Sequence, residues 1–245
     1  MPAVNSSPKK MKSDHFEGKS VLEHLKAARA RGALAAAEIH GTEMPGHLSA
    51  AADAARDTAV VLLLLWILFP HELPLLLLVA GGLFLWKIGR SALLGWARLE
   101  RLHRVIEEER WEIEHARQQE REELAALYQA KGLSGKLLDE VITVMMADDN
   151  RLLHIMLEEE MGLALEVYEH PLKQSLGAGV GVILATALFA GGYFFFSPIA
   201  GTAITIIIAA FTVAKLERNR RIEALIWNLS LVAFVAGVIY FIKDL

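Results

Sequence analysis

The chain has 245 residues, 54% of them hydrophobic, a formal net charge of −4 and no cysteine. With a mean hydropathy of +0.35 and charges that avoid whole segments, it reads as a membrane protein with a polar insert. The lack of cysteine excludes disulfides, thiolate metal sites and cysteine nucleophiles, leaving Glu, Asp, His, Met or backbone oxygen to hold any metal, and the acidic balance argues against a nucleic-acid partner.

Residues 1–19, carrying Pro, Ser and Lys, read as a disordered tail. They are basic, but no apolar h-region follows, so they do not form a cleavable signal peptide. Residues 20–47 read as a cytosolic amphipathic helix and connector. Ser20 and Glu23 form a capping-box pattern that opens a helix through about Ile39. Leu22, Leu25, Ala33 and Ala36 fall on one side of it, with Arg29 interrupting the stripe and Gly32 weakening the helix. The connector breaks at Pro45 and Gly46 and gathers Glu38, His40, Glu43, Met44 and His47. It reads as a hydrated link at the bilayer surface, with a metal-ligand or proton-relay role as the second reading.

The first span is Leu48 to Phe69, because the run Ala59 to Phe69 alone falls short of the roughly 20 residues a crossing needs. Its first half therefore carries Asp53, Arg56 and Asp57 toward the membrane, where ionisable groups are costly and mark function. Asp53 and Asp57, with Glu43 and His40, are the candidates for a transport path. After a turn at 70–74, Leu75 to Leu94 returns across the bilayer, with Gly81 and Gly82 offering close helix contact and Lys87 and Arg90 free to snorkel.

The second span runs without a break into a polar helix from Trp96 to Lys131, which holds neither Pro nor Gly and is closed by Gly132 as a C-cap. At about 100° per residue, Glu109, Glu112, Glu120 and Glu123 share a stripe about 80° wide and about 21 Å long, whereas Glu107, Glu114 and Glu122 point elsewhere. The plain alternative is an exposed helix laced by i,i+4 ion pairs. Leu99, Leu102, Ile106, Ile113, Leu124 and Leu127 also permit a coiled-coil or dimer seam. A helix from about Ser134 to Met146 follows, and Asp148 caps another, Asn150 to Leu163, that carries Met156, Glu159 and Glu160. Met156 and Glu160 share a face.

Pro171 opens the next span, Leu172 to Phe196, and Pro198 to Val213 and Ile222 to Ile242 complete the set. Lys and Arg cluster in the N-terminal region, in 96–171 and in Lys215 to Arg221, while the turns at 70–74 and 197–201 carry none. The positive-inside rule then places those three basic regions in the cytosol and the C-terminus outside or in a lumen. The expected fold is an all-α membrane protein of five transmembrane helices (a hairpin in 48–95, three spans in 172–245) with a three-helix cytosolic metal-binding insert, 96–171, between the second and third.

Hard and borderline divalent cations favour carboxylate oxygen, with occasional imidazole or thioether, so the glutamate stripe facing Met156, Glu159 and Glu160 supplies a ligand set. Glu112-x-x-His115 and Glu100-x-x-His103 have the spacing of di-iron helices, but residues 134–163 offer no matching motif, and no enzyme is expected.

This layout resembles the vacuolar iron transporter family of Fe²⁺ and Mn²⁺ exporters, including its plant nodulin-like and bacterial members. The insert carries the resemblance: Glu109-x-x-Glu112, Glu120-x-x-Glu123, Lys131-Gly-Leu, Ala147-Asp-Asp-Asn-Arg-Leu-Leu, Met156-x-x-x-Glu160-x-Gly162-Leu and Pro171-Leu-Lys. It implies that these glutamates and Met156 collect Fe²⁺ or Mn²⁺ for the pore, and that a homodimer in the bilayer exchanges metal for protons. The membrane would be the inner membrane of a bacterium or a vacuolar-type membrane of a eukaryote. No cofactor is implied beyond the transported ion. Two departures stand out: Leu157 follows Met156 where the family commonly has a second methionine, and the second span lacks the family's methionine and acid. Two functions follow, export of divalent iron or manganese by proton antiport, and membrane-anchored metal binding or sensing without transport.

Overall fold

The computed structural model describes residues 20–36, 44–163 and 169–243, with side chains described outside 31–36. Helix is the only regular structure among the described residues. The chain divides into two compact units, one formed by Met1–Ala37 with Arg98–Val167, the other by Glu38–Ala97 with Tyr168–Leu245. The expected connector residues Glu38, His40 and Glu43 lie outside the described residues, as does the segment 1–19.

The apolar unit holds α2 (Gly46–Leu68), the first part of α3 (Leu73–His115), α7 (Pro171–Phe195), α8 (Pro198–Leu216) and α9 (Arg221–Ile242). Four of these, α3, α7, α8 and α9, are long and apolar enough to cross a membrane. Helix α2 has 23 residues, but every stretch of it long enough to span includes Asp53, Arg56 and Asp57.

Lipid removes the hydrophobic drive between helices, so packing relies on small residues that let backbones approach. A Cβ built on Gly177 would collide with the backbone carbonyl oxygen of His47, and one on Gly181 with that of Ala51. Around this crossing of α2 and α7, Ala50, Ala54, Ala178 and Val182 form a buried cluster. Leu62, Leu76, Ala80 and Phe189 form a second cluster. The close contact expected at Gly81 and Gly82 is not made, since a Cβ at either meets nothing within 4 Å. The inward face of α3 is instead the one carrying Leu76 and Ala80. Helix α9 buries none of its residues.

Capping follows the local sequence. Pro171 and Pro198 occupy first turns, and Ser197 Oγ accepts from the Ile199 N–H at 3.2 Å. The N-terminus of α2 has no local side-chain cap. There the Glu169 carboxylate accepts the His47 N–H at 2.6 Å and meets the His47 ring Nδ1 and Lys173 Nζ, each at 2.6 Å. Burial alone would raise the Glu169 carboxyl, but these hydrogen bonds outweigh it and hold the group below its ordinary range.

The polar unit holds α1 (Val21–Ala36), the last part of α3, α4 (Arg117–Ala130), α5 (Gly135–Met145), and α6 (Asp149–Ile155), whose last turn widens into a π turn, Met156–Glu160. The unbroken helix expected from Trp96 to Lys131 is not formed. Helix α3 stops at His115, and Ala116 leaves helical geometry at φ −124° and ψ 28°. The downstream stop is as expected: Gly132 has φ 98°, with Leu133 N–H to Tyr128 O at 3.1 Å and Gly132 N–H to Gln129 O at 3.0 Å, the paired bonds of a Schellman motif. Asp148 caps α6 through the Arg151 N–H at 2.8 Å. The helix expected to reach Leu163 closes at Gly162, whose φ is 68°.

The capping box is present, with Ser20 N–H to Glu23 Oε2 at 3.1 Å and Glu23 N–H to Ser20 Oγ at 3.4 Å. Helix α1 packs on α4 and the π turn. Among its described side chains the buried ones are His24 and Ala28, and Leu22, expected on the apolar side, is 62% exposed.

Because the α2 and α7 backbones touch at Gly181, Gly181→Leu is expected to destabilise the detergent-solubilised protein by at least about 2 kcal/mol through overpacking. Gly82→Leu, facing open space, should change stability by less than about 0.5 kcal/mol. Thermal unfolding of the two variants against the parent chain checks this difference.

Candidate metal centre

Four glutamates from three elements are almost wholly removed from water: Glu109 on α3, Glu120 and Glu123 on α4, and Glu160 on the π turn, each at most 1% exposed. On a straight helix Glu109 and Glu120 would stand about 16 Å apart along the axis. In the structure, ligand oxygens of Glu109, Glu112 and Glu120 all lie within 4.8 Å of one another. The break at Ala116 makes this possible by folding the expected stripe into a cluster.

A second group of ligand atoms, from Glu123, Glu160 and His24, also falls within 4.8 Å. His24 Nε2 stands 3.5 Å from Glu123 Oε1 and 3.9 Å from Glu160 Oε1. Glu120 ties the two groups together electrostatically. Its burial, then the charges of Glu109, Glu123, Glu160 and Glu112, push its carboxyl up from 4.5 to about 11. With no cation present, Glu120 keeps its proton at neutral pH, because a further negative charge there is unfavourable. A divalent cation at these oxygens would compete with that proton.

Met156 is buried on the π turn beside buried Leu157, so an apolar side chain fills the position next to the thioether. Glu159 lies apart from both groups, half-exposed and paired with Lys131. His115 is likewise outside them: its ring stacks on Trp111 at 4.4 Å, and it is exposed. Sequence reasoning missed His24. Anchoring the α1 face on Leu22 hid it, and its signal was the i,i+4 partner Ala28 on the same face.

The two aspartates of α2 sit in a different setting. Asp53 pairs with Arg56 one turn along α2, and Asp57 pairs with Lys87 on α3. A cleft of about 40 Å³ is lined by Asp53, Lys87, Arg90 and Ser91. Each aspartate thus has a protein cation against it, whereas the polar unit concentrates acids.

A family model described as the VIT family matches residues 97–242. This range contains Glu109 through Glu160 and helices α4 to α9, and it leaves out α1 and α2. No curated protein and no solved structure matches the chain.

The raised Glu120 carboxyl has a consequence for stability. Between its ordinary value and about 11 the folded chain holds a proton that the unfolded chain has released, so stability falls as pH rises through that window. The thermal midpoint of the metal-free protein is expected to drop from about pH 5 to about pH 8. Glu120→Gln should flatten that slope, and saturating Mn²⁺ should restore the midpoint at the upper pH. Calorimetry at several pH values reads all three.

Proposed function

Because the chain belongs to the vacuolar iron transporter family, a family of membrane metal-ion transporters, we propose that it moves Fe²⁺ or Mn²⁺ out of the cytosol in exchange for protons, loading each ion at the buried carboxylate centre. The observation that carries this reading is the pair of largely buried groups, Glu109 with Glu112 and Glu120, and Glu123 with Glu160 and His24, each with its ligand atoms within 4.8 Å and coupled through the charge on Glu120. So many buried carboxylates repel one another unless protons or cations neutralise them. Carboxylate oxygen with one imidazole or thioether suits Fe²⁺ and Mn²⁺, and competition between proton and metal for the same oxygens favours antiport over a uniport.

The proposed arrangement has five spans, α2 among them, with the N-terminal segment and the insert in the cytosol, a placement that the basic clusters support. The outward apolar faces of α3 and α9 fit a bilayer and a second copy of the chain. A second reading, a membrane-anchored metal-binding or sensing protein, draws support from the Asp57–Lys87 pair, since a tethered ammonium competes for the aspartate that a translocated ion would use.

Proteoliposomes loaded with a metal-sensitive dye separate the readings. Transport predicts Mn²⁺ or Fe²⁺ flux that is driven by a pH gradient and abolished in Asp57→Ala. Glu120→Ala combined with Glu123→Ala should lower flux at least about tenfold at low metal, the equivalent of losing about 1.4 kcal/mol of capture. Tight binding with no flux above background would overturn transport and leave the sensing reading.

A further inference from the structure

Helix α1 lies outside the matched range 97–242, yet it delivers His24 into the acidic centre. His24 is only 7% exposed, the one buried histidine among the described residues. The capping box sets the start of α1, and the His24 N–H makes its first turn bond, to Ser20 O at 2.9 Å. The imidazole is thereby placed on the face that packs against α4 and the π turn. Its Nε2 stands 3.5 Å from a Glu123 oxygen and 3.9 Å from a Glu160 oxygen, beyond the roughly 2.7–3.2 Å of a hydrogen bond. The 3.5 Å separation falls within the about 3.3–3.6 Å between ligands that sit 2.0–2.2 Å from a tetrahedral ion, and the 3.9 Å one lies just beyond it.

We propose that α1 is a metal-responsive latch: His24 donates an imidazole nitrogen to a divalent ion held with Glu123 and Glu160, so that loading the centre clamps α1 onto α4 and the π turn. This rests on the metal-collecting reading above and adds a ligand and a conformational output to it. One nitrogen and two carboxylate oxygens form a borderline donor set, which accepts Fe²⁺ and Mn²⁺ and discriminates against Ca²⁺ and Mg²⁺, cations that prefer all-oxygen shells. An ion at this position links α1, α4 and the π turn through a single centre. Its free energy of binding therefore appears as stability of α1 docking.

The full-length protein in detergent tests this with Mn²⁺ as the probe. Pulsed electron paramagnetic resonance of the Mn²⁺-loaded parent chain should show coupling to one directly bonded nitrogen, and His24→Ala should lose it. Hydrogen exchange in α1 should slow at least about tenfold on adding Mn²⁺ to the parent and stay unchanged in His24→Ala, which should still bind Mn²⁺ through the Glu109, Glu112 and Glu120 group. The comparison of the parent with and without Mn²⁺ decides the matter even where His24→Ala loosens α1 by itself. If the parent binds Mn²⁺ with no nitrogen coupling and no change in α1 exchange, the latch is overturned while the collecting role stands. If the parent binds no Mn²⁺, the collecting role and the latch fall together.

Discussion

Gathering carboxylates out of water is the constraint on which the polar unit depends. Four glutamates at most 1% exposed would ordinarily be expelled to the surface, since the charged forms lose hydration and repel one another. The fold meets this in part by holding a proton on Glu120 and in part by setting the His24 imidazole among the acids. The surrounding elements hold the arrangement in place. Leu124 and Leu127, the residues of α4 next to the acids, are buried, as is Ile142 of the neighbouring α5. Exposed pairs such as Arg117–Asp149 at 2.6 Å add little energy individually but orient α4 against α6.

The apolar unit solves a different problem. Its helices cannot rely on hydrophobic association in lipid, and the glycines at 177 and 181 let α2 and α7 come into backbone contact. Charges on α2 are met by cations, Arg56 within the helix and Lys87 across from it. The acids of α2 are thus set against cations of the same unit, while the polar unit also gathers several glutamates close to one another.

Features encoded in a few neighbouring residues were legible in the chain. The Ser20–Glu23 box, the Asp148 cap, Pro171 in a first turn and the Gly132 stop each depend on side chains within about three or four residues of the backbone they satisfy. All four stand in the structure as read. The break at Ala116 was not legible. No Pro or Gly marks it, and alanine is the best helix former, so local propensity argues for continuation. The π turn at Met156–Glu160 was equally hidden, because one widened turn does not alter a hydrophobic pattern visibly. Gly81 and Gly82 misled for a related reason: small residues announce that a close contact is possible, and only the rotation of α3 decides whether a neighbour is there.

By itself, then, the amino-acid sequence determined the helical class, the alternation of apolar and acidic segments and most helix ends, and it singled out glutamates of which Glu159 stands apart from the others in the structure. These follow from periodicity, capping and the cost of charge in lipid, all of which act locally or through composition. Tertiary structure decided how those glutamates meet. A straight helix would have spread Glu109 and Glu120 about 16 Å apart; the turn at Ala116 brings their oxygens within 4.8 Å. It also decided that His24, some hundred residues from Glu123 in the chain, joins them, since a contact between distant elements depends on which helix faces pack together and leaves no period to read.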